Sequence, residues 1–137
     1  MTAVLRGIQP SDLDEFWPIA APMLRLGLKH GTGNRWTLAA LRKSIAENRR
    51  YLWLAWPGRD CALVTQIEDY PAAKVLQILW VGGRLPENWR AILRALESWG
   101  EQQGCTEIET GGRSGWERQL AEEGYSAVPW VTLRKEI

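Results

Sequence analysis

The residues that stand out for chemistry lie between positions 80 and 125. Gly82-Gly83-Arg84 follows an apolar run and precedes a helical one. Two residues without side chains beside a guanidinium, next to a helix N-terminus, can hold an anion through backbone N–H groups and charge. Asn88 stands at the same helix start, with an amide able to donate. Glu107 and Glu109 flank Ile108, so in an extended chain both carboxylates point away from that residue's face, where one can serve as a proton acceptor. His30 is the only histidine, so Ser-His, Cys-His and histidine-rich zinc chemistry would all depend on it. Cys61 and Cys105 show neither disulfide-scaffold density nor metal-ligand spacing, and no metal site is expected.

Lys74–Gly104 must position these groups. Val75–Val81 is long and apolar enough for a strand buried on both faces, ended by Gly82-Gly83. Leu85-Pro86 then opens a helix, with proline at its first position. Trp89, Ile92, Leu93, Leu96 and Trp99 form its buried stripe. Gly104 sits where a left-handed closing residue is expected. Thr106–Thr110 reads as a further strand, so the unit is a right-handed crossover joining parallel strands. Ligands of α/β sheets bind where such a strand ends and its helix begins.

Upstream, Val4–Ile8 is a strand. A helix follows it, carrying Leu13, Phe16, Ala20, Met23 and Leu24, with Ser11 as N-cap; Pro18 and Pro22 predict a kinked or broken course. His30–Asn34 reads as a loop, and Thr37 caps a second helix with Leu38, Leu41 and Ile45 on its buried side. Tyr51–Trp56 and Cys61–Tyr70 are strands around the turn Pro57-Gly58-Arg59-Asp60, and Tyr70–Ala73 turns into the central strand. Gly111–Gly115 is a loop before a short helix bearing Trp116 and Leu120, stopped by Gly124. Trp130–Lys135 is the last strand.

The 137 residues make one domain, with 17 basic and 16 acidic side chains. That balance gives no push towards nucleic acid or anionic membrane. Neither a signal peptide nor a transmembrane stretch is apparent, which points to a cytoplasmic protein with reduced thiols. Nine tryptophans are by default fillers of core and clefts, and exposed ones would favour a homodimer.

This order of elements resembles the GNAT family of acetyl-CoA-dependent N-acetyltransferases over essentially the whole chain. Ile78–Val81, Ala95–Trp99 and Gly124-Tyr125 are its best local matches. The resemblance implies an α/β (α+β) fold of about six mostly antiparallel strands and four helices, with the central parallel pair splayed. It implies acetyl-CoA as co-substrate and an amine acceptor, small molecule or protein. Backbone N–H groups near Trp80-Val81 would bind the acetyl carbonyl. Gly82, Gly83, Arg84, Asn88 and Arg113 would face the pyrophosphate or adenosine end. Glu109 would act as general base, Tyr125 would supply a hydroxyl near the thiolate, and His30 would lie on the acceptor side. The match departs where the family's phosphate loop carries glycines. Arg84 matches the leading arginine, but Leu85, Glu87 and Trp89 occupy the glycine positions, and Leu120 and Arg113 replace the usual tyrosine and asparagine. The alternative this implies is a GNAT-fold binding or assembly protein without catalysis. Gly112–Trp116 is also similar to small phage-encoded GNAT-like proteins.

Overall fold

Residues 4–32, 35–111 and 114–137 are described by the computed structural model. The apolar run around Val75–Val81 becomes the core of β4 (Ala73–Gly83), the longest strand. It lies between β3 (Cys61–Tyr70), antiparallel, and β5 (Glu107–Thr110), parallel. β1 (Leu5–Ile8) and β2 (Tyr51–Ala55) complete a sheet of order β1-β2-β3-β4-β5. The helices are α1 (Leu13–Thr32), α2 (Leu38–Ala46), α3 (Trp89–Gln102) and α4 (Glu117–Ala121).

Both sheet faces are covered, which explains why the central strands read as nearly continuous apolar runs. On one face Phe16, Trp17, Ala20, Leu24, Leu41 and Ile45 of α1 and α2 pack on Leu52, Leu54, Ala62, Val64 and Trp80. On the other, Ile92, Leu93 and Leu96 of α3 pack on Trp53, Ala55, Cys61, Leu63, Leu76 and Ile78. The stripe expected on α3 is thus its core face, and β2 divides its side chains between the layers with a period of two. One buried polar pair joins this core: Trp53 Nε1–H donates to Thr65 Oγ1 at 2.9 Å.

Three expectations need correcting. α1 runs unbroken through Pro18 and Pro22 and continues through His30 to Thr32. Burial of Ala20, Leu24 and Leu28 under the sheet outweighs the hydrogen bonds the prolines remove. α3 begins at Trp89 rather than at Pro86: Trp89 N–H reaches back to Pro86 O at 3.1 Å, and Pro86 opens a turn leading into the helix. Finally, Trp130–Lys135 forms no strand, so the described sheet has five strands rather than six and β5 is its edge. Gly104 (φ +86°) ends the α3 region in the left-handed conformation expected of it.

Candidate functional site at the parting of two strands

The register of β4 against β3 shifts at one residue. Val64 pairs with Trp80 and Thr65 with Ile78, so Leu79 is an extra residue without a partner on β3, a β-bulge. The parallel ladder with β5 ends at the adjoining pair, Ile78↔Thr110. Beyond Leu79, β4 stays with β3 through Trp80–Gly83, while β5 contributes no further rung. The bulge and the last rung of β5 therefore coincide, and beyond them the β4 edge, the mouth of the candidate site, has no strand beside it among the described residues.

This end of β4 packs against α1. The Trp80 side chain is buried on the α1/α2 face and meets Trp36 edge-to-face at 5.5 Å. The Arg50 guanidinium lies over Trp36 at 4.3 Å; burial, followed by repulsion from Arg49, lowers its pKa. Gly82 is clamped on the backbone of α1. A Cβ there would stand 2.1 Å from Met23 O, so no larger residue fits without parting strand and helix. Gly83 (φ +87°) takes a left-handed conformation and is enclosed by Asp60 O and the Met23 side chain.

These contacts overturn one expectation. Gly82 and Gly83 are strand residues paired with Ala62 and Cys61, and the Arg84 N–H donates to Asp60 O at 2.7 Å. The pair thus belongs to the strand rather than to a turn, with Gly82 packed on α1. The Arg84 side chain is exposed and opens onto a cavity of about 470 Å³, shared with Asp60, Leu85, Pro86, Glu87 and Asn88. One guanidinium there faces two carboxylates. Asn88 is the N-cap of α3; its carbonyl accepts from Ala91 and Ile92 N–H, and its side chain makes no capping bond. Arg113 lies outside the described residues, as does the side chain of His30.

Glu109 lies on the sheet face opposite α3. Gln66 Nε2 donates to Gln77 Oε1 at 2.6 Å, and Gln77 Nε2 donates to Glu109, making a polar ladder across three strands one rung from the mouth. Gln77, the one polar residue of the run Val75–Val81, was the sequence signal for this ladder, and sequence reasoning passed over it. Tyr125 is directed elsewhere. Its hydroxyl donates to Glu97 Oε2 on α3 at 2.6 Å, and its ring packs in the α3-side core. Burial, then the bond to Glu97, raises its pKa, so the phenol is neutral and already engaged. The structure thus separates the two proposed catalytic groups: Glu109 is one rung from the mouth, and Tyr125 is bonded to the middle of α3.

The α3–α4 side carries contacts that spacing alone did not reveal. Trp89 and Trp116 meet edge-to-face at 5.7 Å. Arg90 pairs with Glu122 (3.2 Å) and Glu123 (3.0 Å), and Arg94 with Glu123 (3.2 Å). Leu120, at the position where the resemblance expects a tyrosine, packs against the α3-side core. Among the described residues, no group of His, Cys, Asp and Glu could hold a metal ion, and no helix is long and apolar enough to cross a membrane.

No protein-family model matches the chain, and no curated protein matches it. Solved structures do. A ribosomal-protein-alanine N-acetyltransferase from Brucella melitensis biovar Abortus 2308 superposes with TM-score 0.68 at 13% identity, covering 98% of this chain and 100% of that one. A GCN5-related N-acetyltransferase from Ralstonia eutropha JMP134 gives 0.66 at 16% identity over 96% and 97% of the two chains. A predicted acetyltransferase with acetyl-CoA from Clostridium acetobutylicum gives 0.66 at 12% identity over 98% and 96%. The fold is that of the GNAT acetyltransferases; identities this low carry the fold and nothing finer.

Proposed function

We propose that this protein is an N-acetyltransferase, moving an acetyl group from the thioester of acetyl-CoA to an amine. The observation that carries the reading is the coincidence of the bulge at Leu79 with the last β4–β5 rung. A parting of the two strands at that point would leave backbone groups open on the β4 edge, inside the sheet. Backbone N–H groups near Trp80-Val81 would donate to the thioester carbonyl and to the charge that grows on its oxygen as the amine attacks. Glu109 would take the ammonium proton, directly or through a water, held in place by Gln77. The C–N bond forms, the C–S bond breaks, and the thiolate leaves into solvent-accessible space beyond the mouth.

The thioester end of acetyl-CoA suits the mouth better than its pyrophosphate suits the loop. Arg84 and the start of α3 favour an anion, whereas Asp60 and Glu87 in the same cavity oppose one. That opposition supports a second reading, a GNAT-fold binding or assembly protein without catalysis.

Calorimetric titration with acetyl-CoA and with CoA separates the two. On the enzyme reading both bind with micromolar Kd. Arg84→Ala weakens binding and Glu87→Gln strengthens it, each by roughly 2–5-fold at low salt, the scale of one exposed charge in high dielectric. No heat at millimolar ligand from a folded sample would sink the enzyme reading and leave the second.

A further inference from the structure

Arg50 is a partly buried cation without a counter-charge in contact. Its Nε is shut off from solvent and has no hydrogen-bond partner, and its guanidinium makes no ion pair among the described residues. Its neighbour Arg49, by contrast, is paired with Glu47 at 3.4 Å. A buried polar group in that state is short of a partner. Stacking on Trp36 at 4.3 Å holds the guanidinium in place. The same Trp36 ring touches Trp80 of β4, so the cation is tied to the mouth by two ring contacts.

Arg50 also ends a polar row. Tyr51 pairs with Thr65, and continuing that register by one residue sets Arg50 beside Gln66. Arg50 and Leu52 share one face of the extended chain, the face that α1 and α2 cover, where Trp36 also packs. Gln66, Gln77 and Glu109 follow on this face, joined by their hydrogen bonds. The order is cation, two amides, carboxylate, one rung from the mouth. Three strand spacings set the two ends about 14 Å apart at the backbone, and side chains leaning inward bring the charges to roughly 10 Å.

We propose, resting on the acetyl-transfer reading of this site, that the acceptor is an amine bearing a carboxylate roughly 10 Å away, and that Arg50 binds that carboxylate. The amine then lies between the mouth and Glu109, and the two glutamine amides lie along the connecting chain. A free α-amino acid, with one carbon between its charges, is too short to reach both ends. An extended tripeptide spans about 10 Å, and an ω-amino acid of about eight carbons does the same. Glu68, exposed on β3, is the competing carboxylate: it favours the charged guanidinium, against burial and Arg49, yet makes no ion pair with it.

The test is calorimetric titration of the full chain, without acetyl-CoA, using two pairs of probes. Triglycine is compared with triglycinamide, and 8-aminooctanoate with octylamine, so that each pair differs at the anionic group. Triglycine should bind at least about tenfold more tightly than its amide. The same preference in the second pair would show that the carboxylate alone is read; its absence there would show that the peptide groups are read as well. Arg50→Gln should abolish the preference while leaving triglycinamide within about twofold, and Arg50→Lys should keep part of it. Glu68→Gln should tighten triglycine binding at low salt, which decides the matter even where Arg50→Gln does not fold. Equal affinities for triglycine and its amide, no binding by any probe, or a preference that survives Arg50→Gln would each overturn the proposal. Acetyl-CoA titrated in parallel keeps the two readings apart. Acetyl-CoA binding without a carboxylate preference sinks only the acceptor assignment, whereas a preference without acetyl-CoA binding leaves the Arg50 site and sinks the transfer.

Discussion

Replacing Gly82 by alanine sets a methyl group against the backbone of α1. The new Cβ would lie 2.1 Å from Met23 O, 2.6 Å from Met23 C and 3.2 Å from Leu24 N. Ordinary van der Waals contact begins at 3.4 Å. Neither side of the contact is a flexible side chain, so β4 and α1 must part by about 1 Å, which also loosens Leu24 and Trp80 in the core between them. Overpacking of this kind costs about 1–3 kcal/mol, and a backbone-on-backbone contact belongs at the upper end. Against a total of about 5–15 kcal/mol that is a large fraction, equivalent to roughly 10 °C in Tm for a domain of this size. Differential scanning calorimetry of Gly82→Ala reads the shift. Gly111→Ala serves as control, because nothing lies within 4 Å of a Cβ there, and it should stay within about 1 kcal/mol of wild type. A Tm for Gly82→Ala within about 2 °C of wild type would refute the clamp. Loss of acetyl-CoA affinity at an unchanged Tm would mean that Gly82 contacts the phosphates after all.

Two further outcomes follow from groups around the site. Tyr125→Phe removes the bond to Glu97 and should lower stability by about 1–2 kcal/mol in urea unfolding, while leaving any acetyl transfer within about twofold. Glu109→Gln, by contrast, should cut kcat by about 10²–10⁴, and a reversal of this pair would exchange the two assignments. Burial, then repulsion from Asp60, pushes the Cys61 thiol from 9.0 to about 11. Its folded pKa is raised, so above pH 9 the unfolded chain binds fewer protons; the contribution is intact below pH 9 and declines between pH 9 and 11. Cys61→Ala should flatten that part of the stability curve, and an unchanged slope would count against the assignment.

Much of this fold was legible because its signals are periodic. The α3 stripe, the three-strand meander and the crossover each rest on spacing that burial then enforces, as Leu96 and Leu76 show by being fully enclosed. The errors have local physical causes. Pro18 and Pro22 read as breakers because local propensity cannot weigh the apolar area that α1 covers. Gly82-Gly83 read as a turn or loop because glycine signals permissive backbone, whereas at Gly82 what matters is the absent Cβ under α1. The last strand was expected from an apolar pattern, but such a pattern marks residues that a strand could use, not that a neighbouring edge pairs with them. For the candidate site, Arg84, Asn88 and Glu109 were singled out by residue type. The ladder through Gln77 and the opposing charge of Asp60 were not, since both arise from register and loop proximity between distant positions.

That opposing charge sharpens the choice between the two functional readings. A bulge in mid-strand costs ladder bonds and gives nothing to a protein that only needs a compact scaffold, and here it coincides with the last β5 rung and with a glutamate one pair away. Such a coincidence is what the proposed transfer would use. The phosphate end points the other way, since Glu87 and Asp60 share that cavity with Arg84, the one cation among its described lining residues. If both observations are functional, the acyl donor is gripped at its thioester and loosely at its phosphates. Acetyl-pantetheine, which lacks the pyrophosphate and adenosine, should then lose little relative to acetyl-CoA, about tenfold or less in kcat/KM. A loss of more than about a thousandfold would show that the Arg84 cavity, despite its carboxylates, binds the phosphates strongly.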